Sequence, residues 1–206
     1  MSRLFCFVSI AIYIFVVYNT SMKVILASAS PRRKQLLGML IKDFEILPSN
    51  ADENINCATP EETVRQLSYI KAKSVFEQNQ DSLVLGADTI VVFDDKILGK
   101  PQDEEDARQM LRLLSAKTHK VVTGVSLLSA KKCVTFAETS YVAFRQLSDK
   151  DIDDYIKTGS PMDKAGAYGI QDSGFVCDIE GSFDNVVGLP TERLAKVLKQ
   201  FGGING

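Results

Sequence analysis

Apolar residues recur along the chain in two alternating periods, which predict strands and helices in turn. Residues 24–27 form a short apolar run suited to a buried strand. A helix over residues 35–40 follows, with Ser30 as its cap and Pro31 at its first position, where a missing N–H costs nothing. Residues 44–47 read as a second strand, and 49–59 as irregular polar chain. Pro60 opens a helix whose apolar Val64, Leu67, Ala72 and Val75 keep helical spacing to about Glu77. Residues 82–92 read as a central strand, with Gly86-Ala-Asp-Thr in its middle and an Asp94-Asp95-Lys96 turn after it. Residues 103–115 form an amphipathic helix, and 121–129 with 133–144 a strand pair. A helix is expected over 149–158, short strands over 175–179 and 185–187, and a closing helix over 191–201. This interleaving predicts an α/β or mixed α+β class.

Composition narrows the picture. Apolar residues make up 45% of the 206-residue chain and charged residues 24%, enough for one domain with a full core. A net charge of −2 argues against a nucleic acid polymer as partner, since phosphate-backbone binders carry a basic excess. Cys6, Cys57, Cys133 and Cys177 are far apart, with neither zinc spacing nor a disulfide framework, and point to a reducing, cytoplasmic setting. Residues 4–18 are almost wholly apolar, yet fewer than the roughly 20 that span a bilayer. Residues 1–22 are read as a leader or anchor, a targeting segment, or an extension upstream of a chain that starts at Met22. The last is preferred, because Lys23 begins compact structure without a linker. A membrane partner is then expected only if residues 4–18 are an anchor.

Several segments carry candidate chemistry. Ser28-Ala-Ser-Pro-Arg32-Arg33, between a strand and a helix, offers helix amides and two guanidinium groups to an anion, or is a solvated surface turn. Asp88 inside an apolar strand is costly to bury unless paired. It sits either in mid-strand or at a strand end at the mouth of a cleft, and with Thr89 and Lys100 makes a polar cluster that a core does not need. Asp52-Glu53 suits Mg²⁺, which takes carboxylate and phosphate oxygens, or lies in a solvated loop. The segment from Lys164 to Gln171 places small residues between a cation and an amide able to read a base edge, or is a tight packed turn. Lys71 and Lys73 add charge to the second helix, or are simply solvated.

His119 is the only histidine, which removes His-based hydrolase triads unless it serves, and removes His-based metal sites. There is no GxxxxGK[ST] loop and no GxSxG elbow. What remains is carboxylate, lysine and arginine chemistry around phosphate.

Val24-Ile-Leu-Ala-Ser-Ala-Ser-Pro-Arg-Arg, Gly86-Ala-Asp-Thr, Leu98-Gly-Lys-Pro, His119-Lys-Val-Val-Thr-Gly, Asp163-Lys-Ala-Gly-Ala-Tyr-Gly-Ile-Gln and Val187-Gly-Leu-Pro occur in this order. Over residues 23–201 the chain resembles the Maf family of nucleoside triphosphate pyrophosphatases, in its dTTP/UTP branch. The resemblance implies a domain over residues 23–206. Its fold would be a central mixed, twisted sheet flanked by helices, with two lobes around a deep cleft, as in inosine triphosphate pyrophosphatases. It also implies a homodimer and Mg²⁺ or another divalent ion such as Mn²⁺. Ser28, Arg32 and Arg33 would hold phosphate, and Lys71, Lys100 and Lys164 would neutralise it. Asp88 would accept the proton of water, and Glu53 and Asp88 would hold metal. Arg33, Thr89 and Gln171 direct the resemblance to dTTP and UTP, with modified pyrimidine nucleotides as an extension. A rival reading is a nucleotide-binding regulator of cell division or septum formation with incidental hydrolysis. Gly159-Ser-Pro stands where the family commonly has Gly-Glu-Pro, so a carboxylate is missing at Ser160, and Ala116 replaces a frequent glycine.

Overall fold

A computed structural model describes residues 22–201, so all of the apolar run over 4–18 lies outside the described residues. The elements are β1 (Val24–Leu26), α1 (Pro31–Gly38), β2 (Glu45–Ile46), α2 (Pro60–Phe76), β3 (Leu83–Phe93), β4 (Lys96–Leu98) and α3 (Glu104–Leu114). They continue with β5 (Thr118–Leu128), β6 (Cys133–Phe144), α4 (Asp149–Ile156), β7 (Val176–Glu180), α5 (Phe183–Val187) and α6 (Thr191–Leu198). Seven strands form one mixed sheet in the order β2-β1-β3-β5-β6-β7, with β4 added on β3. β1 runs parallel to β2 and β3, and the remaining pairs are antiparallel.

Local chemistry accounts for most helix starts. Ser30, Thr59, Asp103 and Ser148 each accept a hydrogen bond from the amide three residues on, and Pro31 and Pro60 fill first positions. The strand expected over residues 185–187 is instead helical, as part of α5. Ser182 caps that helix by accepting from the Asn185 amide, and the buried Asn185 side chain donates to the Val121 carbonyl and the Ser140 hydroxyl. A three-residue apolar run cannot declare such a cap. The closing helix ends at Leu198 and tightens into a 3₁₀ turn to Phe201.

The core explains where a cleft can open. On one face of the sheet, Leu83, Leu85 and Ala87 pack with Leu36, Leu37, Leu189 and Leu194, from α1, α6 and the turn before α6. Further along the same face, Val91, Val121 and Val142 pack with α3 and α4. Between these two hydrophobic groups runs a polar seam. Thr89 Oγ1 meets Thr123 Oγ1 at 3.0 Å, Thr123 donates to the Asn185 carbonyl, and Asn185 donates to Ser140. The other face of the sheet is covered by α2. There Gly86 and Gly124 carry no Cβ, and α2 lies directly on their backbone: a Cβ would stand 2.3 Å from the Ser68 carbonyl oxygen or 2.1 Å from that of Val64.

Candidate active site

The position of Asp88 follows from strand pairing. β1 pairs β3 only over residues 83–85, and β4 only over 91–93, both on the edge away from β5. Residues 86–90 therefore have an open edge between two flanking strands. Asp88 is mid-strand, opposite Gly124 on β5, yet it lies just past the end of the parallel pairing, where ligand sites of α/β sheets gather. Mid-strand and strand-end placement thus hold for this residue at once.

A cavity of about 490 Å³ opens at that edge. It is lined by Arg32, Arg33, Glu53, Lys71, Asp88, Thr89, Lys100, Lys164 and Gln171, so every candidate site residue except Ser28 faces one space. Ser28 stands behind the lining and is buried; its hydroxyl accepts from Arg33 Nη1 at 3.2 Å and from the Ser30 amide at 3.3 Å. Lys73 pairs with Glu77 away from the cavity, and Asp52 accepts from the Asn54 amide in its own loop. The second lysine and second carboxylate of those two pairs thus take no part.

Most of the basic groups are already committed. Arg33 donates from Nε to the Gly188 carbonyl at 3.0 Å and from Nη2 to Thr89 Oγ1 at 3.0 Å. With the bond to Ser28, three of its five N–H groups are used, and two remain for a ligand. Burial lowers the Arg33 pKa from its ordinary value; the charge of Asp88 opposes the shift and that of Arg32 adds to it. Lys71 Nζ lies 2.6 Å from Asp88 Oδ1 and 2.9 Å from Glu53 Oε2. Arg32 reaches Asp163 at 3.6 Å, and Asp163 in turn receives Lys164 Nζ at 2.7 Å. Burial raises the Asp163 pKa, but the bond from Lys164 and the charges of Lys164 and Arg32 outweigh it, so its carboxyl sits below the usual range. Lys100 and Gln171 are exposed and carry no ion pair or side-chain hydrogen bond among the described residues.

Two carboxylates at the cavity are given no role by the sequence reading, although Asp163 opens one of the motifs. Asp163 and Asp172 bracket the segment from Lys164 to Gln171, and that bracketing is the signal that could have found them. His119 does not serve: it is 2% exposed, its Nε2 lies 2.7 Å from the Tyr168 hydroxyl, and burial lowers its pKa to about 4. It props Tyr168, whose ring lines the cavity and whose pKa burial pushes up.

A divalent ion would fit here. Glu53 and Asp88 come from different elements and already converge on one cation, Lys71. Mg²⁺ commonly uses one or two carboxylates and completes its shell with phosphate oxygens and water. Among the described residues there is no group of three or more His, Cys, Asp or Glu side chains able to hold a metal, so such an ion would depend on ligand oxygens.

Residues 23–201 match the family described as Maf-like protein. A dTTP/UTP pyrophosphatase of Bacillus cereus (strain G9842) is 50% identical over 182 residues, covering 87% of this chain and 95% of the relative. One from Bacillus cytotoxicus is 51% identical over the same span. Among solved structures, the Ham1 protein of Staphylococcus aureus matches with a TM-score of 0.53 at 12% identity, covering 87% of this chain and all of that one, which is a likeness of fold alone.

Proposed function

The chain belongs to the Maf family, and from that premise we propose that it is a nucleoside triphosphate pyrophosphatase that takes dTTP and UTP to the monophosphate and pyrophosphate. The single observation that carries the reading is the convergence of Arg32, Arg33, Lys71, Lys100 and Lys164 on one cavity that Asp88 also lines. The half-identical relatives that bear the dTTP/UTP name support the substrate.

In this reading the triphosphate enters along the open edge of β3. Arg32, Lys100 and Lys164 take its oxygens, and the two unused N–H groups of Arg33 add fixed, planar donors. Asp88 accepts a proton from a water as the water oxygen attacks the α-phosphorus. The bond between the α-phosphorus and the bridging oxygen breaks, and pyrophosphate leaves with that oxygen's electron pair. Lys71 holds the Asp88 carboxylate in place through a charged hydrogen bond. Gln171 lines the same cavity, and its paired donor and acceptor atoms suit a pyrimidine edge.

The charge balance favours a divalent cation as cofactor. Five cationic and four carboxylate side chains line the cavity, a net of one positive charge. That is too little to offset a triphosphate. Mg²⁺ or Mn²⁺, held by Glu53 and Asp88 with phosphate oxygens, would supply the remaining neutralisation. A homodimer, which rests on the family resemblance, and a cytoplasmic location, which rests on the scattered cysteines, complete the reading. Among the described residues no helix is long and apolar enough to cross a membrane.

Incubation with dTTP, UTP, CTP, GTP and ATP plus Mg²⁺, with separation of phosphate from pyrophosphate, tests the proposal. Pyrophosphate is expected from dTTP and UTP first. Tight nucleotide binding without pyrophosphate release would overturn it and favour a regulator.

A further inference from the structure

Lys164 is one of the enclosed cations assigned to phosphate, with a side chain only 10% exposed, and its surroundings form a chain of hydrogen bonds that the proposed chemistry does not use. Its ammonium donates to Asp163 Oδ1 at 2.7 Å, to Ser160 Oγ at 2.8 Å and to the Ser160 carbonyl at 2.6 Å. The Ser160 hydroxyl, having accepted from Lys164, donates onward to Asp172 Oδ2. The other oxygen of Asp172 accepts from the Tyr155 hydroxyl at 2.8 Å, and that hydroxyl accepts from the Gly169 amide at 2.9 Å. Two relays, one from the ammonium and one from a backbone amide, therefore end on one carboxylate. Lys164 Nζ is itself 3.7 Å from Asp172 Oδ2, so the carboxylate also acts on it by charge.

The segment between the two residues is shaped by the same contact. Gly169 is pressed between them: a Cβ there would stand 2.4 Å from Asp172 Oδ1 and 2.8 Å from Lys164 Cε. The turn carrying Gln171 thus packs directly on the Lys164–Asp172 pair. Charged hydrogen bonds in series polarise one another, so the loss of the terminal acceptor is felt at the ammonium.

We propose that Asp172 is a positioning residue of Lys164: acting through the Ser160 hydroxyl, and alongside the direct pair with Asp163, it holds the ammonium at the cleft and sets the turn that presents Gln171. It supplies from twelve residues downstream a carboxylate that position 160 itself does not carry. The inference deepens the pyrophosphatase reading and rests on it for the identity of the substrate.

The test is a double-mutant cycle read in two ways. KM and kcat for dTTP are measured for the natural chain, Asp172→Asn, Ser160→Ala and the double variant, and the affinity of each for inorganic pyrophosphate is measured by calorimetry. Each single variant is expected to raise KM and weaken pyrophosphate binding about tenfold, the worth of one charge-assisted hydrogen bond. The double variant is expected to be no worse than either single one, because both break the same relay. Adding Ser160→Glu to Asp172→Asn places a carboxylate directly beside Lys164 and is expected to recover most of the loss, which repair of a folding defect would not explain. Multiplying losses in the double variant, tighter pyrophosphate binding in Asp172→Asn, or no recovery with glutamate would overturn the proposal. If the natural chain leaves dTTP intact, the substrate reading fails, while the pyrophosphate affinities still decide the role of Asp172.

Discussion

Lys71 Nζ meets Asp88 Oδ1 at 2.6 Å because the helix that carries Lys71 rests on the bare backbone of two glycines. Gly86 lies two residues before Asp88 on the same face of β3, and Gly124 lies opposite Asp88 on β5. Any side chain at either position would lift α2 and draw Lys71 away from the carboxylate.

Gly124→Ala is therefore expected to act on stability and on activity together. The added methyl would stand 2.1 Å from the backbone oxygen of Val64, and a backbone contact cannot be relieved by rotating a side chain. Overpacking of this kind costs about 1–3 kcal/mol. Thermal unfolding and turnover of dTTP check it together; a variant with full stability and full turnover would show that α2 does not set the approach.

Asp88→Asn removes the proton acceptor and leaves the shape. Loss of a positioned general base lowers turnover by roughly 10²–10⁴-fold. The side chain is almost buried and its oxygen faces Lys71, so a modest loss of stability is also expected. Steady-state kinetics together with a melting curve separate the two effects, and normal turnover would remove Asp88 from the chemistry.

Gln171→Ala tests the base-reading end. Gln171 lines the cavity, and its amide makes no side-chain hydrogen bond among the described residues. The ratio of kcat/KM for dTTP to that for CTP is expected to fall more than the affinity for pyrophosphate does. An unchanged ratio would place base selection elsewhere.

The imidazole of His119 predicts a pH dependence of stability rather than of catalysis. Burial lowers its pKa from 6.5 to about 4, so it stays neutral in the folded chain while the unfolded chain takes up a proton in that interval. The unfolded state then binds more protons, and stability rises with pH between about 4 and 6.5. The contribution is fully present above 6.5 and is lost as pH falls toward 4, with a span of about 3 kcal/mol. Urea unfolding across this range should show a shallower slope for His119→Gln than for the natural chain; equal slopes would mean that His119 titrates freely when folded.

Much of the fold and of the site is legible in the sequence. Short-range rules decide caps and periodicity, so Ser30 with Pro31, the start of α4 near Asp149 and the strand over Cys133–Phe144 can be read directly. The α5 helix cannot, because its reason is Asn185 reaching Val121 and Ser140 on two distant strands. For the site, the sequence determined which residue types were present and excluded others: one histidine, no phosphate loop, and cations beside an aspartate in an apolar strand. Only the tertiary structure decided that residues 86–90 lie on an edge left open between β1 and β4. Likewise only the fold sorted Lys71 from Lys73 and Glu53 from Asp52, and brought Asp172 through Ser160 to Lys164. Neighbours in sequence share composition but point in different directions, and hydrogen bonds across a cleft depend on distances that chain spacing does not set.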